Sequence, residues 1–234
     1  MIKSFLSIVF AVIVTGTFAQ QTVSAAKIMD QIRKGQDISY ENVTISGILD
    51  FTYHYSKADK YGDYNWWNGS NTVNEDIEVK ISFVNCKFED DVLAYIHKEN
   101  TGYTFTADFE QGVIFQGCQF SGDAMFKYSS FDQGADFSGS RFAGENSFKY
   151  AEFDRNANFS KTIFDEDAIF KYAEFDNGVS FKSAEFKQSL DIKYLDVNGL
   201  FEIDRMEVGK EIDAKYTEIN GESFTKYLYL SKRN

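Results

Sequence analysis

The chain is poor in the residues that build metal centres and covalent cross-braces. Among its 234 residues there are two histidines, His54 and His97, and two cysteines, Cys86 and Cys118. Neither histidine has a cysteine or carboxylate at a zinc-binding spacing, which argues against metal or imidazole catalysis. There is no nucleophile elbow, phosphate loop or calcium loop. Paired acids such as Asp165-Glu166-Asp167 serve glycoside hydrolysis only across a cleft of suitable width, and read instead as solvated corner residues. The expectation is therefore a chain with no enzymatic activity and no cofactor or metal.

Basic residues are also in deficit. Lys and Arg number 24 against 36 Asp and Glu, a net charge of −12. An acidic surface disfavours nucleic acid and anionic membrane as partners; it suits cations or basic proteins, or serves solubility alone. The apolar stretch from Phe5 to Val14 is short for a membrane span. With Lys3 before it and Thr17-Phe18-Ala19 after it, it reads as a secretory signal peptide over 1–19, and less readily as an apolar first strand. Cleavage near Ala19, or later near Ala25, would leave a periplasmic or extracellular domain with no membrane insertion and a charge one unit more negative, because Lys3 is lost.

What is abundant is periodic. Lys-Tyr recurs at Lys127-Tyr128, Lys149-Tyr150, Lys171-Tyr172, Lys193-Tyr194 and Lys215-Tyr216, the numbering advancing by 22 each time. Phenylalanines from Phe109 to Phe186 are separated by alternating gaps of six and five, and Ile192, Val197, Ile203 and Val208 continue the rhythm. Two positions before most of them stands a small or aliphatic residue, such as Ala107, Val113, Cys118, Ala124, Ala157 and Ala168. Residues i and i−2 share a side only in extended chain, and a 3.6-residue wheel scatters this pattern. The spacing predicts an all-β solenoid with four short faces per 22-residue coil, stacked as parallel sheets at a rise of about 4.8 Å. Burying each phenylalanine is worth about 1.5–3 kcal/mol.

The motif Ala-x-Phe followed by polar residues resembles the pentapeptide-repeat family. Its clearest copies are Ala151-Glu152-Phe153-Asp154, Ala157-Asn158-Phe159-Ser160, Ala173-Glu174-Phe175-Asp176 and Ala184-Glu185-Phe186-Lys187. The likeness is strong over about 107–220 and fragmentary over 36–49 and 77–88. It implies a right-handed quadrilateral parallel β-helix with the aromatic and the preceding small residue inward. The family's common coil is two residues shorter; here the extra residues fall after alternate phenylalanines, as in Phe131-Asp-Gln-Gly and Phe175-Asp-Asn-Gly. Gly and Asn there suggest two widened corners with positive φ. The resemblance also implies a second function, since some cytoplasmic members imitate DNA and bind DNA gyrase.

Residues 25–34 suit a short amphipathic helix with Ile28, Met29 and Ile32 on one face. A capping helix is assigned to 20–35 and the β-helix to 36–234, closed at its end by Phe224, Tyr227, Leu228 and Leu230. Insertions interrupt the rhythm at about 51–76 and 89–104. The first holds Tyr61, Tyr64, Trp66 and Trp67, an aromatic cluster suited to a sugar or a protein partner or to covering the first coils. Cys86 and Cys118 fall one coil apart in one inward slot; they are read as buried thiols, with a disulfide as the alternative. The Lys-Tyr columns are read as wall decoration balanced by the acids Glu152, Glu174, Asp196 and Glu218, or as a strip for a periodic partner. The function read from all this is an exported binding or structural scaffold, its partner an unknown protein or glycan and its oligomeric state open.

Overall fold

A computed structural model describes residues 21–53 and 71–231. The proposed signal peptide lies outside them, as do His54, Tyr61, Tyr64, Trp66 and Trp67. No helix among the described residues is long and apolar enough to cross a membrane.

The chain winds into a right-handed parallel β-helix of four walls with coils of about 22 residues. Each wall is named here after one inward phenylalanine. The Phe109 wall has nine strands, the Phe120 wall eight, and the Phe115 and Phe126 walls seven each. Most strands are two residues long, and residues one coil apart pair directly: Phe109 with Phe131, Phe131 with Phe153, Phe153 with Phe175. Such short strands are stable only as members of a stack, because each coil takes its hydrogen bonds from its neighbours.

Register turns the phenylalanines into columns of stacked rings. Successive centroids lie 4.6 Å apart between Phe131 and Phe153 and 4.5 Å apart between Phe120 and Phe142. Opposite walls meet edge to face, as Phe137 meets Phe148 at 5.3 Å and 78°. Each such pair adds about 0.5–1.5 kcal/mol beyond burial. The slot two residues earlier also points inward, filled by Ala107, Ala135, Ala157 and Ala168. Where it holds a hydroxyl, the group can bond a carbonyl of the preceding coil, as Thr162 Oγ1 donates to Phe137 O at 3.0 Å.

The corners differ from the sequence expectation. Positive φ sits mainly at the two tight corners and only at a few glycines of the widened ones. One tight corner carries Gly117, Gly139, Lys161, Ser183 and Arg205, the other Tyr128, Tyr150, Tyr172, Tyr194 and Tyr216. With no proline in the chain, one left-handed residue makes the bend in a turn closed by an i+3 to i hydrogen bond, as from Ala173 N to Phe170 O at 3.0 Å. The widened corners have a residue to spare and mostly turn through ordinary φ, with Gly47 (φ +85°), Gly178 (φ +87°) and Gly199 (φ +103°) as exceptions. Glycine serves there for close approach: a Cβ on Gly144 would lie 2.6 Å from Gly122 O. Aspartates bridge coils at one of these corners, Asp123 accepting from Glu145 N at 3.0 Å and Asp167 from Ser189 N at 2.9 Å.

The N-terminal cap is shorter than expected and is preceded by a strand. Strand β1 (Thr22–Ser24) pairs with Thr44–Ser46, so the rhythm of the coils begins before the helix. Helix α1 (Ala25–Arg33) follows, capped by Ser24 and burying Ala25, Ile28, Met29 and Ile32. At the other end α2 (Phe224–Ser231) closes the core with Phe224, Tyr227 and Leu228; the side chain of Leu230 lies outside the description.

The second insertion is narrower than 89–104. Val92 and Leu93 stay in the Phe126 wall, pairing with Ala124 and Met125. What projects is a hairpin, Tyr95–His97 antiparallel to Thr104–Thr106. The first insertion returns as Thr72–Ile77, which pairs along its whole length with Thr104–Phe109.

Two interior residues of one coil break the packing logic, and one of them, Ser129, has a buried hydroxyl with no partner among the described residues. The other, Asn146, is 1% exposed in a slot that Ala124 and Ala168 fill in adjacent coils. Its Nδ2 donates to Asp167 O at 3.3 Å, while its Oδ1 meets no donor among the described residues. Asn146→Ala is therefore expected to raise stability by about 1 kcal/mol, whereas Phe148→Ala should lower it by about 3–5 kcal/mol. Equilibrium urea denaturation measures both.

Candidate functional site

The Lys-Tyr column forms the tight corner between the Phe126 and Phe109 walls. In each copy lysine is the second and tyrosine the third residue of the turn, so the tyrosine takes the left-handed conformation: φ is 60° at Tyr128, 58° at Tyr150, 60° at Tyr172, 56° at Tyr194 and 63° at Tyr216. A non-glycine residue there costs about 1–2 kcal/mol. Stacking offsets it, since the four successive ring pairs lie 4.7, 4.7, 4.6 and 4.8 Å apart and the first three are within 6° of parallel. Lysine ammonium groups hang over their own tyrosine rings, 5.1 Å away at Lys149 and 5.2 Å at Lys171, each contact worth about 0.5–1 kcal/mol at an exposed site.

The column ends on Tyr95 of the hairpin. Its ring packs 6.0 Å from Tyr128, and Lys127 Nζ donates to its hydroxyl at 3.1 Å while lying 4.5 Å from its ring. Tyr95 holds the register position of Lys127 one coil earlier. Subtracting the ten-residue insertion, as for the phenylalanines, would have placed it from sequence.

The lysines are balanced differently from the sequence reading. Glu152, Glu174, Asp196 and Glu218 do not pair with them. Lys193 instead binds Asp213 of its own wall at 2.6 Å, an ion pair that holds Asp213 below the usual carboxylate range and lifts Lys193. Lys127, Lys149 and Lys171 have no carboxylate at ion-pair distance among the described residues. Burial, then Lys127 and Lys171, draw Lys149 below the ordinary lysine value. The floor beside these three is Met125, Ser147 and Ile169, where the next two coils carry Asp191 and Asp213. The small Ser147 leaves a groove of about 390 Å³, rimmed by Tyr95 and Lys127 on one side and Glu145, Glu166 and Asp167 on the other.

The Phe109 wall carries the opposite charge. Asp108, Glu152, Glu174, Asp196 and Glu218 form one outward column; Glu110, Asp132, Asp154 and Asp176 form the next. None of them is ion-paired with a described residue. Burial, then Glu174, Asp154, Asp108 and Asp176, push Glu152 above the usual range. Among the described residues no group of three or more His, Cys, Asp or Glu could hold a metal ion.

Cys86 and Cys118 are free thiols buried inside the walls. Contact with Cys118, opposed by burial, draws Cys86 down to about 7; the same contact and burial push Cys118 up.

Residues 126–173 match the family model described as pentapeptide repeats, in nine copies. Over these residues the coils are pentapeptide repeats. No curated protein matches the chain, and no solved structure does. The matched pentapeptide repeats include Lys127, Lys149 and Lys171 with their tyrosines, so the candidate site lies on the most regular coils.

At the pentapeptide-repeat corner, Tyr172→Ala should be less stable than Tyr172→Gly by about 1 kcal/mol, because both lose two stacks and only glycine is freed from strain at positive φ; thermal denaturation compares them. The acidic wall sets a pH dependence. With its folded pKa raised, Glu152 binds more protons folded than unfolded between the ordinary carboxylate value and the raised one. Its destabilisation is present in full above the raised value and vanishes as the pH falls below the ordinary one. Stability should therefore rise on mild acidification below neutrality, less so in Glu152→Gln, as followed by denaturation at stepped pH.

Proposed function

We propose that the chain is a non-enzymatic, exported scaffold that holds an anionic partner segment along the Lys-Tyr edge of the Phe126 wall. One observation carries this reading: in a chain of net charge −12, Lys127, Lys149 and Lys171 stand one coil apart above a neutral floor, with no carboxylate at ion-pair distance among the described residues. Stacked ammonium groups repel by about 1 kcal/mol per contact even in water. The chain relieves that repulsion at Lys193 with Asp213 and leaves it in place at these three. An anionic partner would relieve it and gain the tyrosine hydroxyls as hydrogen-bonding groups.

Export is supported by Lys3 and the apolar stretch Phe5 to Val14. The fold supports cleavage near Ala19 over Ala25, because the later cut would remove β1 and with it the buried Val23.

The experiment is capture from envelope extract by the wild-type chain and by Lys127→Ala/Lys149→Ala/Lys171→Ala. A partner held by the wild type and lost from the triple variant is the expected result, and equal capture by both would discard this edge as the site.

The acidic columns of the Phe109 wall favour a second reading, imitation of DNA towards DNA gyrase. It requires the chain in the cytosol and a uniformly negative surface, and the neighbouring lysine column interrupts the latter. A supercoiling assay decides it: the export reading expects no inhibition at any concentration of the chain, and dose-dependent inhibition would replace it with the DNA mimic.

A further inference from the structure

We infer that the tyrosine ladder is a site of oxidative cross-linking, where rings one coil apart join as dityrosine. Three observations carry it. Tyr128, Tyr150, Tyr172, Tyr194 and Tyr216 stack with centroids 4.6–4.8 Å apart, so equivalent ring carbons of neighbours face each other at one coil's rise. The ladder is open to solvent along its side, with Tyr128 44%, Tyr194 40% and Tyr216 60% exposed. No other pair of described tyrosines stacks in this way; Tyr95 meets Tyr128 at 6.0 Å and a 42° tilt.

The chemistry needs a one-electron oxidant, and peroxide acting through a haem peroxidase supplies one. Each of two neighbouring phenols gives up one electron and its hydroxyl proton. The two phenoxyl radicals join through the carbons ortho to their oxygens. The hydrogens on those carbons then move to the oxygens and restore both aromatic rings. In total the protein loses two hydrogen atoms per link and one peroxide becomes two waters. In a loose chain the radicals would meet mainly by diffusion between molecules. Here the register already holds the partners side by side, which favours coupling within one chain. The link would tilt the two rings until their facing carbons bond, and add a covalent staple along a corner otherwise held by stacking and by backbone hydrogen bonds, as from Tyr150 N to Lys171 O at 3.1 Å. This inference does not rest on the partner proposed above, since it needs only the ladder.

The test exposes the purified full-length chain to hydrogen peroxide and a haem peroxidase. The expected product has dityrosine fluorescence, migrates as a monomer in denaturing gels, and has lost two hydrogens per link by mass. Peptide mapping should join ladder tyrosines of successive coils, and the unfolding midpoint should rise. Tyr150→Phe/Tyr194→Phe keeps every ring and so the stack, but leaves no two adjacent ladder phenols. Its intramolecular yield should fall at least about tenfold, because three ladder phenols remain but none has another one coil away. Circular dichroism matching the wild type establishes that the variant is folded. Absence of dityrosine, links found only between chains, links mapping to Tyr40, Tyr53 or Tyr103, or an undiminished yield in the folded double variant would each overturn the inference.

Discussion

Register is the constraint on which the rest of the molecule depends. Residues one coil apart lie one strand spacing apart, so whatever a position carries is repeated as a column. For an inward phenylalanine the repetition is favourable, since each ring finds a parallel neighbour and an edge from the opposite wall. For an outward charge the same repetition is unfavourable, because like charges are brought within about 5 Å. The outer surface is a set of answers to that problem. On the Phe126 wall Asp213 holds Lys193; on the Phe120 wall Asp165 takes Arg141 at 2.7 Å and Lys187 at 2.8 Å. Among the described residues, the carboxylate columns of the Phe109 wall go unanswered, as do three lysines beside the groove.

The architecture was legible because the core is made of one residue type at one spacing. Alternating gaps of six and five specify four faces, and the slot two residues before each phenylalanine specifies extended chain. The corners were less legible. Glycine is associated with positive φ, so Gly134 and Gly178 drew attention to the widened corners. One tight corner is left-handed at five tyrosines, with Lys161, Ser183 and Arg205 at the opposite one, and no propensity points to a tyrosine there. Its strain is tolerated because stacking, a contact between coils, outweighs a local preference. Glycine at Gly144 is instead required by the approach of Gly122, also a contact that local sequence does not express.

The site was legible in part. The Lys-Tyr repeat marked the column, and its length in sequence is its length in the fold. The counterions were misplaced because the acids nearest in sequence, such as Glu152 after Lys149, sit round a tight corner. The acid that reaches Lys193 comes almost a full coil later, on the same wall. Tyr95 was hidden by the insertion that shifts its number, and Asn146 by lying in a slot usually occupied by alanine. The tryptophan-bearing insertion, which drew attention in the sequence, lies outside the described residues.

Each coil touches only the coils before and after it, with α1 and β1 at one end and α2 at the other. A pull on the two ends is therefore borne in series, and every layer carries the same load. Such an assembly parts at its weakest layer rather than at its most exposed one. The layer holding Asn146 has a polar group in an apolar seat and sits in the middle of the stack. Under such a pull that layer is expected to part first, dividing the molecule into two shorter stacks that each keep one of the original caps.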